Sequence, residues 1–198
     1  MNTRIICFAL ILCNFIPPVF SADCNITYME EEKLLAMDYD SFDQHEVGWR
    51  KYAKLGCYYE IGALIDKYLD KNRNSLSDWQ TIGITWHAGQ MYAFGNEYGI
   101  AENRFIHSIN PNEPDNTPIL WNDYVYATIA FLNNDMTELK FRRDKIAAGP
   151  ILNGTKPNLN VVDNLILYFG QPYSMGAIVK CCVWDKLFIK RRPVLIAH

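Results

Sequence analysis

Trp86-His87-Ala88-Gly89-Gln90-Met91-Tyr92-Ala93-Phe94-Gly95-Asn96-Glu97-Tyr98-Gly99-Ile100-Ala101-Glu102-Asn103-Arg104-Phe105 reads as one helix-turn-helix hairpin. Asn96-Glu97 is the turn. Gly89 and Ala101 are small where two antiparallel helices must approach, and Tyr92, Tyr98 and Phe105 supply the aromatic volume that fills the gap. Upstream, Ser77-Asp78-Trp79-Gln80 has the Ser-x-x-Gln spacing of a capping box, which satisfies the free amides at a helix start and opens a helix running to about Phe94.

The same hairpin pattern recurs on both sides. Before it, Trp49 to Leu55 runs into Gly56, and Tyr58, Ile61, Leu64, Ile65, Tyr68 and Leu69 form the stripe of an amphipathic helix. Met29 to Met37 is a short helix, and Ser41-Phe42-Asp43-Gln44 has a second capping-box spacing. After it, the Pro-rich loop 110–118 leads to a helix with Trp121, Tyr124, Val125, Thr128, Phe131 and Leu132 on one face. Asn133-Asn134-Asp135 turns the chain, with Asp135 and Glu138 placed as cap and third residue of the next helix. Asn158 to Phe169 and Tyr173 to Phe188 form a last pair, split by Gly170-Gln171-Pro172. No segment alternates with the two-residue period of a strand.

Tyr58, Tyr98, Met136 and Tyr173 each begin the second helix of a pair, at spacings of 40, 38 and 37 residues. A tetratricopeptide repeat has a period of about 34, and the loops account for the excess. The central copy carries Gly89, Tyr92, Tyr98, Ala101 and Phe105 at the tetratricopeptide offsets; the other three are degenerate, and Arg143 stands where Phe105 does. The reading is an all-α fold of antiparallel helix-hairpin repeats forming a short, TPR-like, right-handed α-α superhelix over residues 24–188. A non-repetitive helical bundle sharing the same local chemistry is the alternative.

Phe42-Asp43-Gln44, Gly48-Trp49-Arg50, Gly56-Cys57-Tyr58, Trp86-His87-x-Gly89-Gln90 and Trp121-Asn122-x-Tyr124-Val125-x-Ala127-Thr128 resemble bacterial exported proteins with tetratricopeptide-like repeats, a family of unknown function. The resemblance covers nearly all of the chain after residue 21. It implies an all-helical fold and a bacterial origin, and carries no catalytic residues. In a eukaryotic secretory pathway, Asn25-Ile26-Thr27 and Asn153-Gly154-Thr155 would be glycosylation acceptors.

The ends bound the location. Arg4, the apolar run Ile5 to Ile16 and the short side chains before Ala22 read as a signal peptide over residues 1–21; the run is short for a membrane span. The expected site of action is periplasmic or extracellular, with no stable membrane insertion after cleavage. Residues 189–198 read as a C-terminal tail. The formal charge of −3 offers no basic excess for nucleic acid. Cys24, Cys57, Cys181 and Cys182 remain after cleavage, an even number in an oxidising compartment. Adjacent Cys181 and Cys182 are poorly placed to bond each other, so a bond from one of them to Cys24 is expected to tie the domain ends together. The scattered histidines lack ligand spacing, and neither a metal nor a cofactor is expected.

His87 and Gln90 are three residues apart and share one side of a helix. They are candidates for a polar patch in the groove lined by the first helices of successive repeats, together with Asp43, Arg50, Trp86 and the Trp121-Asn122-x-Tyr124 wall. The alternatives are a structural role, in which buried polar groups pair and fix helix register, and a small hydrolase-like enzyme with His87 as general base beside Asp43 or Glu97. No nucleophile is spaced to cooperate with His87, so no catalytic residue is assigned. The expected function is an exported protein- or peptide-binding or scaffolding module; a structural subunit of an envelope assembly, with apolar area near Trp184, Leu187 and Phe188, is a further alternative.

Overall fold

The computed structural model describes residues 24–177. The expected signal segment 1–21, Cys181 and Cys182, the apolar group expected around Trp184, and the expected tail 189–198 lie outside the described residues. Within them the chain is all helical: α1 (Tyr28–Leu35), a π-helical turn (Asp40–Gln44), α2 (Arg50–Ala53), α3 (Tyr58–Asn72), α4 (Asp78–Phe94), α5 (Tyr98–His107), α6 (Trp121–Leu132), α7 (Met136–Ala148), α8 (Leu159–Leu167) and α9 (Tyr173–Ala177). Extended pairing among the described residues is confined to a single bridge, Leu152 with Thr155.

The hairpin quoted above is α4 and α5. Its capping box forms as the sequence predicts, with Gln80 N donating to Ser77 Oγ and Ser77 N donating to Gln80 Oε1. From Ile84 to Phe94 every residue of α4 is buried. A helix apolar on all sides has to sit inside the molecule, and α4 packs against α3, α5 and α9. Gly89 is required where α4 meets α5: a Cβ there would stand 2.7 Å from two ring carbons of Phe105. The glycine lets the ring lie flat against the backbone, and burying a side chain such as Phe105 contributes roughly 1.5–3 kcal/mol.

One turn design closes three successive hairpins. Gly56, Asn96 and Asn134 are left-handed (φ 82°, 64° and 55°). The amide after each donates back across the turn: Cys57 N to Tyr52 O (3.3 Å), Glu97 N to Tyr92 O (2.9 Å) and Asp135 N to Ala130 O (2.8 Å). This is the Schellman arrangement, which satisfies carbonyls left over at a helix end. Asp135 then caps α7 through Glu138 N.

From α2 onward each helix packs on the next, α1 packs on α3, and α6 also meets α8. α9 reaches back to α4, with Tyr173 against the rings of Phe94, Phe105 and Phe131 and its amide donating to Tyr98 Oη. The curl therefore brings the last described helix onto the central hairpin.

Two expectations are corrected. Ser41-x-x-Gln44 is not a capping box: Ser41 N and Oγ donate to Asp38, while Gln44 turns to Asp43 and Tyr39 inside the π-helical turn. A carboxylate three residues back outcompetes Gln44 for the Ser41 groups. The disulfide joins Cys24 to Cys57, at a Cα–Cα distance of 5.4 Å, rather than Cys24 to Cys181 or Cys182. The start of the described chain runs alongside the N-terminus of α3, and proximity decides the pairing.

Candidate functional site

The best-defined polar cluster gathers around Asp43. The π-helical turn fits one more residue than an α-turn, a distortion frequent at functional positions, and both Phe42 and Asp43 in it are fully buried. Phe42 stacks on Tyr68 of α3, ring centroids 3.8 Å apart. Gly48 then lets the chain fold back: Trp49 N donates to Phe42 O, and a Cβ on Gly48 would stand 1.9 Å from that oxygen. The reversal delivers Trp49 and Arg50 to the same place.

Asp43 Oδ1 accepts from Trp49 Nε1 (3.0 Å) and pairs with His87 Nδ1 on α4 (2.8 Å). Gln44 Nε2 donates to Asp43 Oδ2. Arg50 Nε donates to the Asp43 carbonyl (2.6 Å), and its guanidinium lies over the Trp49 ring at 4.3 Å. Burial alone would raise the Asp43 pKa; the charge and hydrogen bond of His87, with Arg50 and Trp49, outweigh it and hold the carboxyl below its ordinary 3.8. An ionised carboxylate has no proton to give, so His87 Nδ1 is the donor. Burial lowers the Arg50 pKa, opposed by Asp43 and Glu46, and burial with Asp43 nearby raises that of Tyr39.

An aspartate orienting an imidazole is the second half of a general-base arrangement. Here, however, Asp43 is 0% exposed and His87 5% exposed, so the pair bridges elements rather than opening onto solvent. It fastens the segment 40–50 to α4, as a buried polar network does when its members are satisfied.

The sequence candidates therefore separate. Asp43, Arg50 and His87 meet. Gln90, one turn further along α4, lies beside the Tyr173 hydroxyl instead, and its Oε1 is buried without a hydrogen-bond partner among the described residues. Trp86 packs among Phe105, Trp121 and Tyr124, with ring centroids 4.5, 5.2 and 4.7 Å away. Tyr124 is buried, and that burial raises its pKa. Trp121 is partly exposed and fixed by Nε1 donating to Ser108 O (2.7 Å). Asn122 ties down the loop 110–118: its Oδ1 accepts from Asn110 N, its Nδ2 donates to Asn110 O, and its own amide donates to Glu113. Glu97, the alternative carboxylate for His87, is exposed at the turn that ends α4, away from the Asp43 cluster.

Three functional-looking features escaped the sequence. Trp49 is an indole donor to Asp43, where the sequence marks only the start of a helical segment. Asp66 joins three helices by accepting from Tyr92 Oη (2.8 Å) and Arg104 (2.9 Å); no local spacing signals a cluster drawn from α3, α4 and α5. Trp79 is 54% exposed, edge-on to Trp121 at 5.7 Å. The sequence marks it only as part of the Ser77 capping box, and no local pattern states that its ring will face solvent.

Among the described residues no group of three His, Cys, Asp or Glu is placed to hold a metal ion, and no helix is long and apolar enough to cross a membrane. No protein-family model, curated protein or solved structure gives a significant match to the chain.

Proposed function

We propose that this is an exported helical-repeat protein, its hairpins arranged as a short TPR-like right-handed superhelix, that binds a protein or peptide partner or scaffolds an assembly in the periplasm or outside the cell. The observation that carries this reading is the solvent-facing Trp79 braced against Trp121. Trp121 is itself locked to the Ser108 carbonyl and backed by Trp86. A large aromatic held rigid at the surface contributes contact area without losing much conformational freedom, which is why tryptophan is common in binding hot spots. His87 of α4, by contrast, is used within the fold, paired with Asp43.

The test is capture from the native envelope fraction by the chain lacking residues 1–21, compared with its Trp79→Ala variant. The reading expects a partner retained by the parent and lost by a variant whose circular dichroism and melting are unchanged. Equal capture by both refutes Trp79 as the contact.

The rival reading, a hydrolase-like enzyme based on His87, is favoured by the 2.8 Å contact to Asp43. Its burial weighs against it. His87→Ala separates the two: an enzyme keeps its fold and loses turnover, whereas a buried pin loses stability.

A further inference from the structure

Asn153-Gly154 is the one Asn-Gly pair in the sequence, and it forms the tip of the connection between α7 and α8. Leu152 N donates to Thr155 O (2.8 Å) and Thr155 N to Leu152 O (3.1 Å), closing a two-residue turn. Both tip residues are left-handed, Asn153 at φ 51° and Gly154 at φ 78°, the pattern of a type I′ turn. Both are exposed.

The other left-handed asparagines differ in one respect. The amide after Asn96 donates to Tyr92 O, that after Asn134 to Ala130 O, and that after Asn158 to Lys156 O. The amide of Gly154 donates no hydrogen bond among the described residues. Nothing lies within 4 Å of where a Cβ on Gly154 would stand, and both residues of this peptide unit are exposed. The following amide at each of the other three sites is held by the fold and carries a side chain; here it is neither held nor crowded.

We propose that Asn153 is a self-modification site, at which the Gly154 amide nitrogen attacks the side-chain amide and water completes its conversion to aspartate or isoaspartate. Solvent hydroxide removes the Gly154 amide proton. The nitrogen forms a bond to Asn153 Cγ, the Cγ–Nδ2 bond breaks, and the nitrogen leaves as ammonia after taking up a proton from water. The five-membered succinimide is then opened by one water. Attack at Cγ gives aspartate; attack at the main-chain carbonyl carbon gives isoaspartate, with one extra carbon in the backbone. The net change is asparagine plus water to a carboxylic acid plus ammonia, with no oxidant or reductant.

Either product places a new negative charge at the tip. The isoaspartate also lengthens the turn, so the reciprocal bonds between Leu152 and Thr155 cannot both close. The α7–α8 connection, otherwise braced by Lys156 Nζ on Gly149 O (2.6 Å), would lose its tight end.

The purified full-length protein is incubated in warm, mildly alkaline buffer and sampled over time. Peptide mapping by mass spectrometry is combined with isoaspartyl methyltransferase labelling. The expected result is ammonia release and conversion at Asn153 ahead of Asn96, Asn134 and Asn158, with mixed aspartate and isoaspartate. Asn153→Gln should abolish the labelled peptide, with only a small drop in the melting temperature of fresh protein because glutamine suits the left-handed turn position less well than asparagine. The proposal is overturned if Asn153 stays an amide throughout, if any of the other three converts faster, or if urea-unfolded, reduced chain converts at Asn153 much faster than folded protein.

Discussion

Replacing Asp43 by alanine removes the acceptor on which three buried or half-buried donors converge: Trp49 Nε1, His87 Nδ1 and Gln44 Nε2. A buried donor left without a partner costs about 1–3 kcal/mol. Removing one side of a buried charged pair costs about 3–5 kcal/mol. These costs overlap, because the donors share one carboxylate and can relax together, so the expected loss is about 4 kcal/mol. That is a large fraction of the roughly 5–15 kcal/mol that holds a domain folded. At about 2–4 °C per kcal/mol for a chain of this size, the melting temperature should fall by about 8–16 °C. The assay is urea unfolding followed by far-ultraviolet circular dichroism with the disulfide intact. The midpoint should drop with the slope unchanged. His87→Ala and the double variant complete a cycle, with an expected coupling of about 1 kcal/mol or more between contacting residues. A loss for Asp43→Ala below about 1 kcal/mol, or additive single variants, would refute the cluster as the fastening between the N-terminal segment and α4.

Two further outcomes follow from the same geometry. The Asp43 carboxyl is held below 3.8 in the fold, so its contribution to stability is complete above that value and is lost as the pH falls through the lower folded value. Unfolding free energy should therefore decline below about pH 4 more steeply for the parent than for Asp43→Asn; parallel profiles would exclude the mechanism. Glu30 and Asp38 are also lowered, Glu30 chiefly by Lys51 and Asp38 chiefly by the Ser41 amide, but both meet solvent and add little. Reduction of Cys24–Cys57, which closes a loop over a separation of 33 residues, should cost about 3–4 kcal/mol in the chain-entropy account, as should Cys24→Ser. Non-reducing peptide mapping should recover Cys24 linked to Cys57, and recovery of Cys24 with Cys181 or Cys182 would overturn the pairing.

The helices were legible because their signals are local. The three-and-four spacing along α3 and α6, the Ser77 box and the Asp135 cap each operate within one or two turns of chain, where the backbone's own hydrogen-bonding needs decide the outcome. Gly89 opposite Phe105 was legible as well, since hairpin packing depends on side-chain size at fixed offsets. The candidate site was legible only in its ingredients. Asp43 and His87 could be named as polar groups near apolar faces, but 44 residues separate them, and no local pattern states that a carboxylate will meet a particular imidazole.

The sequence by itself determined that the chain forms antiparallel helical hairpins, where they turn and which residues fill their seams. Tertiary structure alone decided three other matters: that Cys57 takes Cys24, that Trp49 and Arg50 join Asp43 and His87 in a buried cluster, and that Trp79 stays exposed at the surface. The division has a physical cause. Helix formation and capping are satisfied within a few residues, whereas partner choice for a thiol, a buried charge or a surface ring depends on how whole helices pack and on what their packing leaves uncovered.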